Sequence, residues 1–186
     1  MSVLITGGAG YIGAHMAWFC RDKKIPYVVL DDLSSGFVEN IPPDSVFIKG
    51  DIADQKLLLD IHNAHKIESV IHFAAKIIVA ESVERPLEYY HNNAAKTAIL
   101  LDWVIKSQIK HFVFSSTAAV YGDVDAGLLS ENLPKYPASP YGRSKWMVEQ
   151  MLQDAHDAYG LHYAALRYFN VAGADPSGRA GQSGKN

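Results

Sequence analysis

The chain has 186 residues, 48% of them apolar, and its 17 basic and 20 acidic side chains give a formal net charge of −3. That length suits one globular domain, and the composition excludes a disordered or collagen-like chain. An acidic chain with no basic cluster argues against a nucleic-acid partner, and no apolar run approaches the ~20 residues of a membrane span.

Cys20 is the single cysteine, so no intramolecular disulfide forms and a reducing, cytoplasmic setting is expected. Met1-Ser2 leads straight into Val3-Leu4-Ile5, with no signal peptide ahead of it. Short apolar runs rich in β-formers then alternate with stretches of helical spacing. Strands are expected over 2–6, 26–31, 45–50, 68–74, 111–116 and 163–170. Helices are expected over 11–23, 54–65, 86–107 and 141–159. Alternation of this kind predicts right-handed βαβ crossovers and an α/β fold, a doubly wound parallel sheet of Rossmann type. The strands read as near-continuous apolar runs, as strands covered on both faces do. In the third helix Leu87, Tyr90, Ala94, Ala98, Leu101 and Ile105 recur at steps of three and four.

Gly7-Gly8-Ala9-Gly10-Tyr11-Ile12-Gly13 lies between the first strand and the first helix. Gly7, Gly10 and Gly13 permit a tight turn, close approach of backbone to phosphate, and close packing of helix on strand. The helix N-terminus, with Tyr11 and Ile12 in its first turn, then faces a pyrophosphate, so this loop predicts dinucleotide binding. The second strand ends at Leu30-Asp31-Asp32, where a carboxylate can accept both ribose hydroxyls and repel a 2′-phosphate, which favours NAD over NADP. Asp31 suits that role better; either carboxylate could instead cap the turn Leu33-Ser34-Ser35-Gly36. After the third strand, Asp51 of Gly50-Asp51-Ile52 could meet the adenine amine or cap the helix that starts near Asp54.

On the third helix's predecessor, His62 and His65 read as an exposed polar face, and no metal is expected. The fifth strand ends in Ser115-Ser116-Thr117-Ala118-Ala119-Val120-Tyr121-Gly122. In an open parallel sheet this is the ligand end, so these hydroxyls could bond a substrate hydroxyl or satisfy strand-end backbone. The stretch 121–139 is polar, proline- and glycine-rich, and long enough to suggest a functional loop. Ser139-Pro140-Tyr141-Gly142-Arg143-Ser144-Lys145 opens the fourth helix, with Ser139 as N-cap and Pro140 at the first helical position. Tyr141 and Lys145, four apart, share a helical face. An ammonium and an oxidised nicotinamide would both favour the phenolate, so Tyr141 could act as a general base; the bland alternative is a surface aromatic–cation pair. Residues 173–186 hold four glycines and no large apolar side chain and read as a surface loop or linker.

In order and spacing these stretches resemble the extended short-chain dehydrogenase/reductase superfamily, and more closely the N-terminal portion of the UDP-glucose 4-epimerase family. The resemblance also rests on His72-Phe73-Ala74-Ala75, Glu81-Ser82-Val83, Pro86 to Asn93 and Leu166-Arg167-Tyr168-Phe169-Asn170, and covers essentially the whole chain. It implies that Tyr141 is the base, Lys145 binds the nicotinamide ribose, and Thr117 holds the sugar hydroxyl. Around the cofactor it implies Gly7, Gly10 to Gly13, Asp31 to Gly36, Asp51, Ile52, Phe73, Ala74, Ala75, Lys76, Asn92 and Ser115. Tyr168, Phe169 and Asn170 match the strand beside the nicotinamide and the sugar nucleotide. Some family members carry lysine where Ile77 stands; here the lysine is one position earlier, at Lys76.

The resemblance implies NAD-dependent epimerisation at C4 of a UDP-hexose, UDP-glucose or UDP-galactose, through a 4-keto sugar. A UDP-xylose or arabinose 4-epimerase is the near alternative, and an N-acetylated hexosamine stays open as the sugar. The related 4,6-dehydratases place an Asp-Glu pair after the threonine, where this chain has Ala118-Ala119. A non-catalytic dinucleotide-binding sensor or scaffold would often lack the tyrosine or lysine, and both are present. The family pairs the third and fourth helices, here carrying Trp103 and Trp146, into a homodimer; core packing is the other reading of these tryptophans. Family members run to about twice this length. Residues 1–172 are therefore expected to form the NAD-binding domain, and 173–186 to begin a linker towards an absent substrate domain. The chain alone is expected to bind NAD weakly and turn over little.

Overall fold

The structure, a computed structural model, describes residues 2–124 and 127–182. Its order is β1 (Ser2–Thr6), α1 (Tyr11–Asp22), β2 (Tyr27–Asp31), β3 (Val46–Lys49), α2 (Gln55–His65), β4 (Ile67–His72), α3 (Val79–Glu84), α4 (Pro86–Tyr89), α5 (Lys96–Lys106), β5 (His111–Ser115), α6 (Pro140–Tyr159) and β6 (His162–Leu166). All pairings are parallel, and the six strands lie in the order β3-β2-β1-β4-β5-β6. The chain runs outward from β1 in one direction and then returns to extend the other side. The order therefore reverses between β1 and β4, and ligands of such sheets bind at the carboxyl ends beside that switch.

Alternate side chains of the central strands feed two cores. Leu4, Val28, Leu30, Val70, Phe112 and Phe114 meet α2, α5 and α6 through Leu58, Leu100, Val104, Val148 and Leu152. On the other face Ile5 and Val29 meet Ala14, Ala17 and Trp18 of α1. Cys20 is buried in this second core, and burial raises its thiol pKa. The edge strand β6 is less covered: Leu166 at its end is 42% exposed.

The helix ends follow local chemistry. The Ser139 hydroxyl accepts the Gly142 N–H at 3.1 Å and Pro140 opens α6, while Gly160, at φ +69°, closes it in the left-handed region. Asp54, not Asp51, caps α2, accepting the Leu57 N–H at 3.0 Å.

Three departures from the sequence expectation are local. The long third helix is interrupted at Tyr90–Ala95 by a π-helical turn, and α3 forms ahead of it. A short 3-10 turn, Ala118–Tyr121, follows β5. The last strand ends at Leu166 rather than running to residue 170, because the Tyr168 carbonyl turns to accept the Ala118 N–H at 2.9 Å.

The described part of the tail, 173–182, has no regular element but lies against α1. Arg179 forms a two-pronged pair with Asp22, at 3.0 and 2.9 Å, and stacks over Trp18 at 4.4 Å. Ala180 is buried in the α1-side core. Residues 183–186 lie outside the described residues. Among the described residues no helix is long and apolar enough to cross a membrane.

Candidate active site

The glycine loop is shaped by absent side chains. Gly7 sits at φ +67°, and a Cβ there would come within 2.5 Å of the Ala74 backbone nitrogen. A Cβ on Gly13 would lie 2.3 Å from the Gly7 carbonyl oxygen, and one on Gly36 would lie 2.8 Å from the Ala9 backbone. The three backbone segments 7–13, 33–36 and 73–75 therefore close on one another only because these positions carry hydrogen. The first helical bond of α1 runs from Ala14 N–H to Gly10 at 2.8 Å, so the N–H groups of Tyr11, Ile12 and Gly13 precede it. No side chain caps that end. A bare helix N-terminus above a side-chain-free turn fits a pyrophosphate.

Asp31, at the end of β2, stands beside this loop. It is buried, with Oδ2 accepting Ala9 N–H at 2.9 Å and Oδ1 accepting Leu33 N–H at 2.8 Å. Burial raises its pKa and the two N–H groups oppose that rise. A carboxylate offers about four lone-pair sites, so two remain for ribose hydroxyls. Asp32 is exposed and accepts Ser34 N–H at 2.8 Å, so it serves the turn 33–36. Leu33 is held at φ +61°, a strained conformation for a branched side chain, by its bond to Asp31. Ser34 and Ser35 are exposed beside it. Asp51 pairs with Lys96 and with the Ala53 N–H, next to buried Ile52.

The segment after β4 is fixed from below by His72, its two threonine partners and Asn93. His72 is fully buried between two threonines, with Nδ1 2.6 Å from Thr6 Oγ1 and Nε2 3.0 Å from Thr97 Oγ1. Thr97 donates its own proton to the Asn93 carbonyl at 2.7 Å, so Nε2 carries the imidazole hydrogen and Nδ1 accepts from Thr6. Burial drives the His72 pKa down to about 3. Asn93 is 1% exposed because the π-helical turn re-aims it inward. Its amide brackets Lys76, accepting the Lys76 N–H at 2.8 Å and donating to the Lys76 carbonyl at 2.9 Å, and reaches Ser144 on α6 at 3.1 Å. The resemblance points to Asn92; that side chain donates to Asn93 at 3.1 Å. Lys76 has a different employment from a phosphate ligand: its ammonium is 2.9 Å from Glu88 and 3.5 Å from Glu81. Phe73, Ala74 and Ala75 form the wall above Gly7.

At the other side of the switch point, Thr117 stands two residues beyond the end of β5 and accepts Ala119 N–H at 3.1 Å. Tyr141 stands in the first turn of α6. Burial raises its phenol pKa, a hydrogen bond from Thr117 pulls it back, and the neighbouring Tyr168 pushes it up. One turn on, Lys145 is buried, donates to the Ser115 carbonyl at 2.8 Å and lies 4.8 Å from the Phe114 ring centre. Burial lowers its pKa to about 7. The fold thus brings Tyr141, Thr117, Lys145, Ser115 and Tyr168 together. Phe169, 70% exposed, and Asn170 stand outside that cluster.

The tryptophans have internal uses. Trp103 is buried against His62, whose ring it meets edge-on at 6.3 Å. Trp146 lies beside the Lys135 and Arg167 cations. His62 is accordingly half-buried rather than on an exposed face.

A model of the NAD dependent epimerase/dehydratase family matches residues 3–185. The chain belongs to that family. Among its relatives, the UDP-glucose 4-epimerase of Azospirillum brasilense is 50% identical over 181 residues, which is 97% of this chain and 52% of the relative. That of Halalkalibacterium halodurans is 46% identical, over 98% of this chain and 54% of the relative. The crystal structure of a Brucella ovis UDP-glucose 4-epimerase in complex with NAD superposes with a TM-score of 0.95 at 42% identity, over 98% of this chain and 56% of that one. The Thermotoga maritima enzyme with UDP-glucose gives 0.89 at 39% identity, over 97% of this chain and 60% of that one. The chain spans about half the length of the curated relatives it matches.

Proposed function

We propose that this chain is the NAD-binding portion of a UDP-sugar 4-epimerase, an isomerase acting on UDP-glucose and UDP-galactose in cytoplasmic galactose metabolism. The observation that carries the reading is the junction of two sites at the sheet's switch point. The side-chain-free cradle of Gly7 and Gly13 stands on one side and the Tyr141–Thr117 pair, backed by buried Lys145, on the other. The cradle fits the pyrophosphate of NAD, Asp31 fits its adenosine ribose, and Lys145 fits the nicotinamide ribose. When bound, NAD supplies a hydride acceptor that can return the hydride to the other face of the sugar.

The chain's own residues do the rest. Tyr141 takes the proton of the sugar 4-hydroxyl, directly or through Thr117, and gives it back after the 4-keto sugar has turned. The Thr117 hydroxyl favours the phenolate in that step, and Lys145 adds to this in its protonated form. Residues 1–172 form the dinucleotide domain in this reading, and 173–186 begin the passage to the remaining length seen in relatives, which contributes the sugar-nucleotide pocket. A homodimer through helices within 86–107 and 141–159 belongs to the same proposal. It is supported by exposed Leu87, Ile99 and Met147, and sizing by light scattering tests it.

The deciding experiment pairs calorimetric NAD titration with a coupled assay of UDP-galactose conversion on the 186-residue chain. NAD binding with little turnover is expected. Absence of NAD binding at millimolar concentration overturns the reading, and rapid turnover by this chain overturns the division into a cofactor half and a pocket half.

A further inference from the structure

The row that begins with Tyr141 and Lys145 does not stop there. Glu149 stands another four residues along α6, on the same face. Three successive turns of the helix thus meet three consecutive residues leaving β5. Tyr141 pairs with Thr117, Lys145 donates to the Ser115 carbonyl at 2.8 Å, and Glu149 accepts the Ser116 hydroxyl at 2.5 Å. Glu149 is only 5% exposed. Its charge is matched by Arg167, whose Nε reaches both carboxylate oxygens at 3.0 Å and whose Nη2 reaches Oε2 at 2.5 Å. Nη1 of the same arginine donates to the Tyr121 hydroxyl at 2.9 Å. The next residue, Tyr168, takes the Ala118 N–H at 2.9 Å.

Residues 116–121 are therefore held at three points, Ser116, Ala118 and Tyr121. Each hold traces to Glu149 or to the end of β6 that Glu149 grips. Thr117 sits between the first two. A buried ion pair is a poor device for stability alone, since apolar residues of similar volume are often as good or better. It is a good device for fixing one geometry.

We propose that Glu149, locked by Arg167, is a positioning residue for the reaction centre: through Ser116 it sets where the Thr117 hydroxyl meets the Tyr141 phenol. This rests on the reading of Tyr141 as the base. It assigns work to a buried carboxylate whose side-chain partners are Ser116 and Arg167.

The test uses the 186-residue chain labelled with tyrosine carrying 13C at Cζ. The Tyr141 resonance is assigned by its loss in Tyr141→Phe and followed against pH, with and without NAD. Ser116→Ala removes the link and leaves the Glu149–Arg167 pair intact; Glu149→Gln weakens the link at its source. In both variants the Tyr141 midpoint is expected to move up by about 0.5–1 pH unit, the worth of one ordinary hydrogen bond. Ser116→Ala should do this with NAD affinity unchanged. A purely structural pair would lower melting temperature and leave the midpoint in Ser116→Ala within about 0.2 pH unit of the parent, which overturns the proposal. Should Glu149→Gln not fold, Ser116→Ala decides alone. Failure to bind NAD would remove the epimerase reading, while the Tyr141 midpoint still decides the positioning role.

Discussion

The corner made by β1, α1 and β2 and the corner made by β5, α6 and β6 stand on either side of the same switch point and are built by opposite means. The first is a backbone structure. Its shape comes from missing Cβ atoms at Gly7, Gly13 and Gly36, and its one buried charge, Asp31, is spent on backbone N–H groups. The second is a side-chain structure. Lys145, Glu149, Arg167 and the Ser116 hydroxyl make it, and each is held by a partner far away in sequence. A backbone cradle tolerates no added atom, whereas a side-chain cluster tolerates added volume but not altered charge or geometry.

The largest effect should come from the side-chain corner. In a turnover-competent full-length protein, Tyr141→Phe removes the proton acceptor and nothing else of the fold. Turnover is expected to fall by about 10²–10⁴-fold, the usual worth of a general base, with NAD still bound. Rate assays beside NAD titration check this, and unchanged turnover would dismiss Tyr141 as the base. Next comes the backbone corner. Gly13→Ala places a Cβ 2.3 Å from the Gly7 carbonyl, where only backbone can yield. An overpacking cost of about 1–3 kcal/mol should appear as an NAD affinity loss of about 5- to 150-fold. The same alanine at Gly160, which meets open space at the far end of α6, should leave NAD affinity alone despite its left-handed backbone.

This division also explains what the sequence made legible. A demand for glycine is local, so the spacing of Gly7, Gly10 and Gly13 after the apolar run Val3-Leu4-Ile5 announces the cradle, and Asp31 follows at the end of the next run. The strand and helix order follows in the same way from periodicity. The second corner announces only its Tyr141–Lys145 spacing, because its other links join residues 33 apart for Ser116 and Glu149 and 46 apart for Tyr121 and Arg167. Asn93 is hidden for a different reason: the resemblance names its neighbour Asn92, and a π-helical turn inside a helical stretch has no sequence period that would single Asn93 out. Apolar content extends the last strand to residue 170 because it cannot show that Tyr168 turns its carbonyl to Ala118.

Between the two corners lies His72, and it gives a pH test of intermediate size. In the folded chain it stays neutral down to about pH 3, whereas unfolded it takes up a proton near 6.5. Between those values the unfolded state binds more protons, so stability is lost as pH falls, by up to about 1.4 kcal/mol per pH unit from this one group. Lys145 acts in the same direction at higher pH. Its folded value of about 7 lies below 10.5, so stability rises as pH climbs from 7 towards 10. Urea unfolding from pH 4.5 to 7 should show the first slope, flattened in His72→Asn, which cannot take up the proton. Equal slopes in parent and variant would place the acid sensitivity elsewhere.

The smallest effect tests whether the backbone corner is as free of side-chain duties as it looks. Tyr11 lends its N–H to the bare end of α1, yet its hydroxyl points away and donates to the Gly173 carbonyl at 2.6 Å. That bond ties the tail across α1, but Arg179 on Asp22 and Trp18 and the buried Ala180 tie the same tail independently. Tyr11→Phe keeps the ring, the edge contact with His15 and the backbone N–H, and loses one exposed hydrogen bond. It should cost about 0.5–1 kcal/mol or less in urea unfolding and quicken tryptic cleavage at Arg179, with NAD affinity unmoved. A tenfold or larger loss of NAD affinity would mean that the tail holds the helix N-terminus in place. The cradle would then depend on a side-chain contact 162 residues away, and the contrast between the two corners would be one of degree.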